Sequence, residues 1–226
     1  MNKKSLTTTA ALLLCCSSIP LAHAASNNPW YAGIMFGSAI SSVSQNQVDT
    51  ITNDLNTALA PSGNSVTGTA TLSASAASAF SLFGGYRVNR YFAGELGYIN
   101  FGSLGATYTA DTTLGSLTMN GTDKAQAFSV SALGTLPITH TWGVFARAGL
   151  AHYWETQSTT SSVAGFTVSS TSSDSGMSAV YGFGSSWRIG ATTLRVEYDL
   201  YPRVAKDFTS VSGGVSVFGL SGQYAF

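Results

Sequence analysis

The chain has 226 residues, and 10 basic and 10 acidic side chains give it a net charge of +0. Charged residues make up 9% of the sequence, whereas a soluble domain has about 25%, and without a basic excess the chain has no nucleic-acid-binding character. The 24 glycines and 12% aromatic residues are typical of a barrel with closely spaced strands and an outside that contacts lipid.

The first 24 residues have the pattern of a secretory signal peptide. Lys3 and Lys4 form a basic start, an apolar stretch runs from residue 10 to about 21, and Ala22-His23-Ala24 is a small-residue cleavage site. The stretch is too short to span a membrane as a helix. We therefore predict cleavage after Ala24, which also removes both cysteines.

The remaining segment, residues 25–226, has the length of one domain. Without cysteine it can form neither a disulfide nor a thiolate metal site. It has no run of ~18 apolar residues, which excludes an α-helical membrane protein. Two classes remain, a secreted soluble β-protein and an outer-membrane β-barrel.

Period-2 alternation of apolar and polar residues predicts a series of strands along this segment. Each is long enough for the ~9–11 residues that a tilted membrane strand needs. The eight predicted strands cover residues 30–40, 78–88, 91–102, 124–136, 142–155, 176–188, 192–202 and 211–226.

Short and long connections alternate between these strands. The short ones are 89–90, 137–141 and 189–191, and the long ones are 41–77, 103–123, 156–175 and 204–210. This alternation predicts an all-β fold, an eight-stranded antiparallel up-and-down transmembrane barrel with short periplasmic turns and long extracellular loops. An even strand number places both termini in the periplasm. The long loops, rich in Ser, Thr, Ala and Gly, are expected to be mobile.

The first long loop contains one element of different character. Val48, Ile51, Leu55 and Leu59 recur at helical spacing, and the Pro-Ser-Gly sequence at 61–63 would end a helix. The apolar face of this helix either packs on the barrel rim or docks a partner.

Charged side chains mark the inner face of the barrel wall. In the seventh predicted strand Arg195, Glu197 and Asp199 alternate with apolar residues, and an Arg or Lys on the lipid face would cost ~2–4 kcal/mol at mid-bilayer. Glu95 and Arg147 lie on the corresponding faces of the third and fifth strands. We predict that these five residues form a lumen charge network, either as a rigid plug or as a gate for small solutes.

The last strand carries Phe218, Leu220, Tyr224 and Phe226 on one face and Ser221 and Gln223 on the other, so the aromatic face is expected to point toward lipid. Aromatic residues near the strand ends are candidates for membrane-interface girdles, with a carbohydrate site as the alternative. The girdle candidates are Trp30, Tyr31, Tyr86, Tyr91, Phe92, Trp142, Trp187, Tyr198, Tyr224 and Phe226.

Three stretches of sequence resemble a known family. FGGYRVNRY at 83–91 followed by GELGY at 94–98, the Arg-Ala-Gly of 147–149, and LRVEY at 194–198 resemble the OmpA-type transmembrane domain. The resemblance implies that Glu95 on the third strand pairs with Arg195 on the seventh. It also implies that the terminal aromatic strand is recognised by the outer-membrane assembly machinery.

The chain departs from the family pattern in two places. The family has a lumen Lys on the fourth strand and a lumen Glu on the sixth, where this chain offers Ser129, Ser131 and Leu133, and Gly182, Gly184 and Ser186. Both partners of that pair are therefore missing together. The family also often continues into a peptidoglycan-binding domain, whereas we expect this chain to consist of the barrel alone.

Little in the segment suggests chemistry. His140 lies in a predicted turn and His152 near the rim of the fifth strand, and neither neighbours a nucleophile in a catalytic arrangement. No cluster has metal-ligand spacing, so we expect no cofactor, no metal and no enzyme activity.

Three functions are consistent with these features. The favoured one is a structural, surface-interacting, adhesin-like barrel, the second is a narrow porin-like channel, and the third is a lipid-modifying enzyme. The expected partners are outer-membrane lipid and lipopolysaccharide, the assembly machinery, and host or phage surface ligands at the loops. The barrel is expected to be a monomer without nucleic-acid partners.

Overall fold

The computed structural model describes residues 29–41, 45–205 and 214–226. The predicted signal peptide and its cleavage point at Ala24 lie outside these residues. None of the helices in the described ranges is long and apolar enough to cross a membrane. The elements are β1 (Trp30–Ser41), α1 (Gln45–Leu59), a 3-10 turn (Ala60–Ser62), β2 (Thr71–Ser75), β3 (Ala77–Arg87), β4 (Phe92–Thr112), β5 (Gly115–Pro137), β6 (Trp142–Val163), β7 (Phe166–Ile189), β8 (Thr192–Tyr201) and β9 (Val215–Ala225).

Eight of the strands in the described residues close into a ring. β1 pairs with β3 on one side and with β9 on the other, and the remaining neighbours follow one another up to the β4–β5 pair. Every pairing is antiparallel. The predicted eight-stranded antiparallel barrel is confirmed. The additional short strand β2 pairs with β4 outside the ring.

Two of the predicted mobile loops are regular β-structure. Residues 103–123 and 156–175 continue β4 to β7 beyond the barrel as one antiparallel sheet, which we call the extended sheet. Cross-strand hydroxyl pairs such as Thr160 with Ser169 at 3.1 Å and Ser162 with Thr167 at 3.0 Å connect β6 and β7 there. These strands could not be recognised from the sequence because Ser and Thr side chains pair across an exposed sheet without any apolar alternation.

The two ends of the barrel differ. The turn end carries the tight connections β3–β4, β5–β6 and β7–β8, with both described chain termini. The sheet end carries the extended sheet. β7 begins to pair with β8 only at Tyr181, so within the described ranges residues 166–180 form an open edge.

A β-bulge in β4 connects the barrel to the extended sheet. The register shifts between Asn100 and Ser103, and Gly102 has a φ of 77° with its N–H donating to Asn100 Oδ1 at 2.8 Å. One extra residue in a strand turns the following side chains to the opposite face. The buried residues accordingly change from Phe101 before the bulge to Leu104 after it.

Helix α1 is present where its periodicity predicts it. It ends at Leu59, and Gly63 beyond the 3-10 turn adopts a φ of 72°. Val48 packs in one cluster with Tyr108 and Leu117 of the extended sheet. The predicted contact with the barrel rim is therefore wrong, because the longer strands place a more distant apolar surface beneath the helix. The same packing occupies the face that a docking partner would need.

The wall has the predicted inside and outside. In β9, Leu220 is 62% exposed whereas Gln223 is 5% exposed. Phe218, Tyr224 and Phe226 are also exposed, and Ser221 is buried. The terminal strand thus directs its aromatic face outward, as the alternation predicts.

Candidate functional site

Arg147 occupies the centre of the barrel lumen. Its Nη2 donates to Glu95 Oε2 at 2.8 Å and to Glu197 Oε2 at 3.1 Å, and its Nη1 donates to Asp199 Oδ2 at 2.6 Å. β4, β6 and β8 supply these side chains from different parts of the ring. One guanidinium therefore connects three carboxylates.

Arg195 forms the second cationic part of this network. Its Nη2 donates to Glu95 Oε1 at 2.6 Å and also to the Gln223 side-chain oxygen. The guanidinium lies over the rings of Phe83 and Phe145, at 5.0 and 5.2 Å from their centroids. The structure thus brings all five residues of the predicted network into one layer, which we call the ion layer.

Tyr31 belongs to the ion layer and not to the girdle. It is buried, and its hydroxyl donates to Glu95 Oε1 at 2.8 Å. Its position near a strand end suggested a membrane-interface residue, but alternation with the exposed Trp30 turns it inward. This alternation in the sequence could have identified Tyr31 as an inward-facing residue. For Gln223 the sequence indicates only an inward-facing side chain and not its hydrogen bond with Arg195.

Two glycines make room for the ion layer. A side chain at Gly182 would collide with the Asp199 carboxylate, and one at Gly184 would collide with the Val196 carbonyl and the Phe145 ring. These are positions at which the resemblance implies a lumen Glu. In this chain the Asp199 carboxylate occupies the space beside Gly182, and the Val196 carbonyl and the Phe145 ring occupy the space beside Gly184.

An apolar layer lies between the ion layer and the sheet end. Phe101 and Tyr201 make an edge-to-face contact with ring centroids 4.9 Å apart. Val180, Val204 and Val217 are fully buried in the same cluster. Beside the ion layer a cavity of about 10 Å³ remains, which is at the lower limit for one water molecule.

Aromatic residues encircle the outer face in two belts. At the turn end Trp30 contacts Tyr86 with centroids 4.8 Å apart, and Trp142 lies opposite Trp187. The exposed large residues among the other candidates are Tyr91, Phe92, Tyr198, Tyr224 and Phe226.

The second belt lies nearer the sheet end, and sequence reasoning missed most of it. Phe128 contacts Tyr98 and Trp154 with centroid distances of 5.3 and 5.6 Å. On the neighbouring strands β7 and β8, the Tyr198 ring is 5.6 Å from that of Phe183. Aromatic pairs at two levels of one wall are the arrangement of a membrane-spanning barrel.

The sequence profile of the OmpA-like transmembrane domain matches residues 25–223. The chain belongs to this family. It is therefore an outer-membrane β-barrel of the type found in Gram-negative bacteria, and its outer face contacts membrane lipid. The resemblance stated from the sequence is confirmed.

Solved structures of small outer-membrane barrels are similar to this chain in fold. Ail, the attachment invasion locus protein of Yersinia pestis, has 14% identity and a TM-score of 0.43, with 87% of this chain and 98% of that chain covered. The N-terminal barrel of OprF from Pseudomonas aeruginosa has 13% identity and a TM-score of 0.48, with 88% and 98% covered. OprG from Pseudomonas aeruginosa has 10% identity and a TM-score of 0.47, with 89% and 99% covered. The comparison with curated protein sequences gives no match.

Two buried carboxylates lie where the barrel meets the extended sheet: Asp123 belongs to the extended sheet, outside the membrane-spanning part, and Glu155 immediately precedes its β6 segment. Asp123 is 1% exposed, and Glu155 accepts the Ala205 backbone N–H at 2.8 Å. Burial, and to a lesser extent the charge of Glu155, raises the pKa of Asp123 to about 7. Asp123 thus carries part of a proton near neutral pH.

The two histidines are exposed at different levels of the barrel. His140 lies in the β5–β6 turn, and His152 lies on the outer face with its ring 5.6 Å from Trp154. In the described ranges no group of three or more His, Cys, Asp or Glu residues could hold a metal ion.

Proposed function

We propose that this barrel has a structural and surface-interacting role, with its lumen closed by the ion layer and the apolar layer. In this proposal the turn end and both termini face the periplasm, and the extended sheet projects from the cell. The barrel is a monomer, inserted by the assembly machinery through β9, and it is not an enzyme. The exposed, widely separated histidines support the last point.

The open edge of β7 is the observation that carries the interaction role. Residues 166–178, except the partly buried Gly176 and the buried Ser178, are exposed, and no strand in the described residues pairs with this side of β7. An unpaired edge presents backbone donors and acceptors that a partner strand can use. A host or phage surface protein that adds a strand here is the occupant that this geometry favours.

Shortening the β6–β7 hairpin tests this role. Deleting residues 156–173 and joining Glu155 to Asp174 with an Asn-Gly turn removes residues 166–173, more than half of the open edge, and the two joined residues lie opposite each other. A non-adherent bacterial strain that expresses the protein should bind cultured epithelial cells and lose this binding with the deletion.

The matched control keeps the edge and removes a hydroxyl pair. Thr160→Ala combined with Ser169→Ala should leave cell binding unchanged, because the backbone edge remains. Heat-modifiable gel migration shows whether each variant folds. Undiminished binding by a folded deletion variant would contradict the role of the edge.

A narrow channel is the second candidate, favoured by small inward residues such as Ser129 and Gly182. The ion layer and the apolar layer, which close the lumen in this proposal, argue against a channel. We expect the refolded protein in planar bilayers to show no reproducible ion-dependent current, because the apolar layer excludes water and the ion layer has no continuous passage. A reproducible unit conductance that varies with ion identity would overturn the closed-lumen proposal.

A further inference from the structure

The lumen opens at the turn end into a vestibule with a cavity of about 60 Å³. Arg87 of β3, Arg90 of the β3–β4 turn, Arg188 of β7 and Arg195 of β8 all line it. None of the described residues that line it is acidic. The vestibule is therefore a cationic compartment, although the ion layer beside it contains more carboxylates than guanidinium groups.

The floor of the vestibule has an unused donor. Arg195 is 5% exposed, and its Nη1 has no hydrogen-bond partner among the described residues, whereas its Nη2 is engaged by Glu95 and Gln223. Arg195 lines this vestibule and does not line the small cavity beside Arg147. A buried charged donor without a partner is costly, and an ordered water or a bound ion can supply the missing acceptor.

The walls hold three further guanidinium groups, those of Arg87, Arg90 and Arg188. The Arg87 guanidinium lies over the Tyr31 ring at 4.8 Å from its centroid, which orients the side chain. Arg188 is close enough to repel it electrostatically. Like charges that converge in a partly enclosed space are stabilised by an anion bound between them.

We propose that this vestibule is a binding site for a small phosphate-type oxyanion. Arg195 Nη1 donates to it from the floor, and Arg87 and Arg188 donate from the walls, in the geometry that suits guanidinium–phosphate recognition. The cavity has several times the ~10–15 Å³ that one water molecule needs, which leaves room for a single tetrahedral anion. Free phosphate and the phosphate of a lipid headgroup share this chemistry.

Phosphorus NMR of inorganic phosphate with refolded protein in a zwitterionic detergent tests the site. We expect saturable line broadening from the wild type and an affinity at least about tenfold weaker in Arg87→Gln combined with Arg188→Gln, because two charge-assisted contacts are lost. Arg195 is left intact because it also supports the fold. Arg203→Gln, at the sheet end, should bind phosphate as the wild type does.

Heat-modifiable migration of the double variant shows that it folds. Absence of saturable binding to the wild type, or equal binding to the folded double variant, would overturn the site. Nanodiscs distinguish the two sources. Weaker apparent phosphate binding in phosphatidylglycerol than in phosphatidylcholine supports the site with a lipid headgroup as occupant, and equal binding supports it with free phosphate.

The proposal goes beyond the surface role and depends on it only for orientation. Binding in detergent needs neither an open β7 edge nor a defined orientation. The phosphate experiment can therefore give a negative result while the cell-binding experiment gives a positive one. The opposite combination of results is also possible, so failure of one proposal can be told from failure of the other.

Discussion

Replacing Arg147 with Ala is expected to be the most damaging single substitution in the barrel. The change leaves Glu95, Glu197 and Asp199 buried with Arg195 as the remaining cation of the ion layer. Removing one partner of a buried ion pair costs ~3–5 kcal/mol. Arg147 serves three carboxylates, so the loss should reach or exceed the upper limit of this range.

Arg195→Ala should also destabilise the barrel, but by less. It removes one ion pair, to Glu95, which keeps its hydrogen bonds from Arg147 and Tyr31. A cost within ~3–5 kcal/mol is therefore expected. Arg90→Ala, in the β3–β4 turn where the guanidinium lies over the Tyr91 ring, is the surface control and should change stability little.

Urea unfolding in detergent, followed by tryptophan fluorescence and by heat-modifiable migration, measures the stabilities of Arg147→Ala, Arg195→Ala and Arg90→Ala. If Arg147→Ala does not fold, the same change with Glu197→Gln and Asp199→Asn should restore folding, since it removes two of the stranded charges. A stability of Arg147→Ala equal to that of Arg90→Ala would show that the ion layer does not hold the barrel together.

Gly102→Ala should also cause a large loss of stability, because the backbone conformation and a steric collision both oppose the new side chain. A non-glycine residue at the φ of 77° costs about 1–3 kcal/mol. The new methyl group would also collide with the Ser78 carbonyl oxygen, so the bulge would have to move. Displacing the bulge would turn the extended sheet away from α1, because the bulge sets which face follows it.

Gly190→Ala is the matched control for this substitution. Gly190 has a φ of 64°, but nothing lies within 4 Å of a side chain added there. The Gly190→Ala variant should therefore lose only the stability that corresponds to a non-glycine residue at a positive φ. Hydrogen exchange of residues 103–123 should accelerate in Gly102→Ala and not in Gly190→Ala, and equal behaviour of the two variants would contradict the role of the bulge.

Prediction from the sequence was most successful where a short period in the residues governs the structure. Alternation placed Arg195, Glu197 and Asp199 on the inner face, and helical spacing located α1. It was least successful where small polar residues carry no apolar period. Residues 103–123 and 156–175 were expected to be mobile loops because Ser and Thr give the same composition to a loop and to an exposed ribbon.

The partners within the lumen could be predicted only in part. The family resemblance implies the pair of Glu95 with Arg195, and the structure shows it at 2.6 Å. The central position of Arg147 was not predictable, because it depends on which residues of β4, β6 and β8 come to the same height. Strand tilt and stagger around a closed ring determine that height.

The amino-acid sequence on its own determined the class of the barrel, the number of strands in its wall and the face that each strand turns to lipid. These properties follow from local periodicity and from the cost of charge in hydrocarbon. Tertiary structure alone decided the bulge at Gly102, the seat of α1 on the extended sheet, the open edge of β7 and the cationic vestibule of Arg87, Arg188 and Arg195. Each of these depends on how residues far apart in the chain are brought together, which no local period in the sequence encodes.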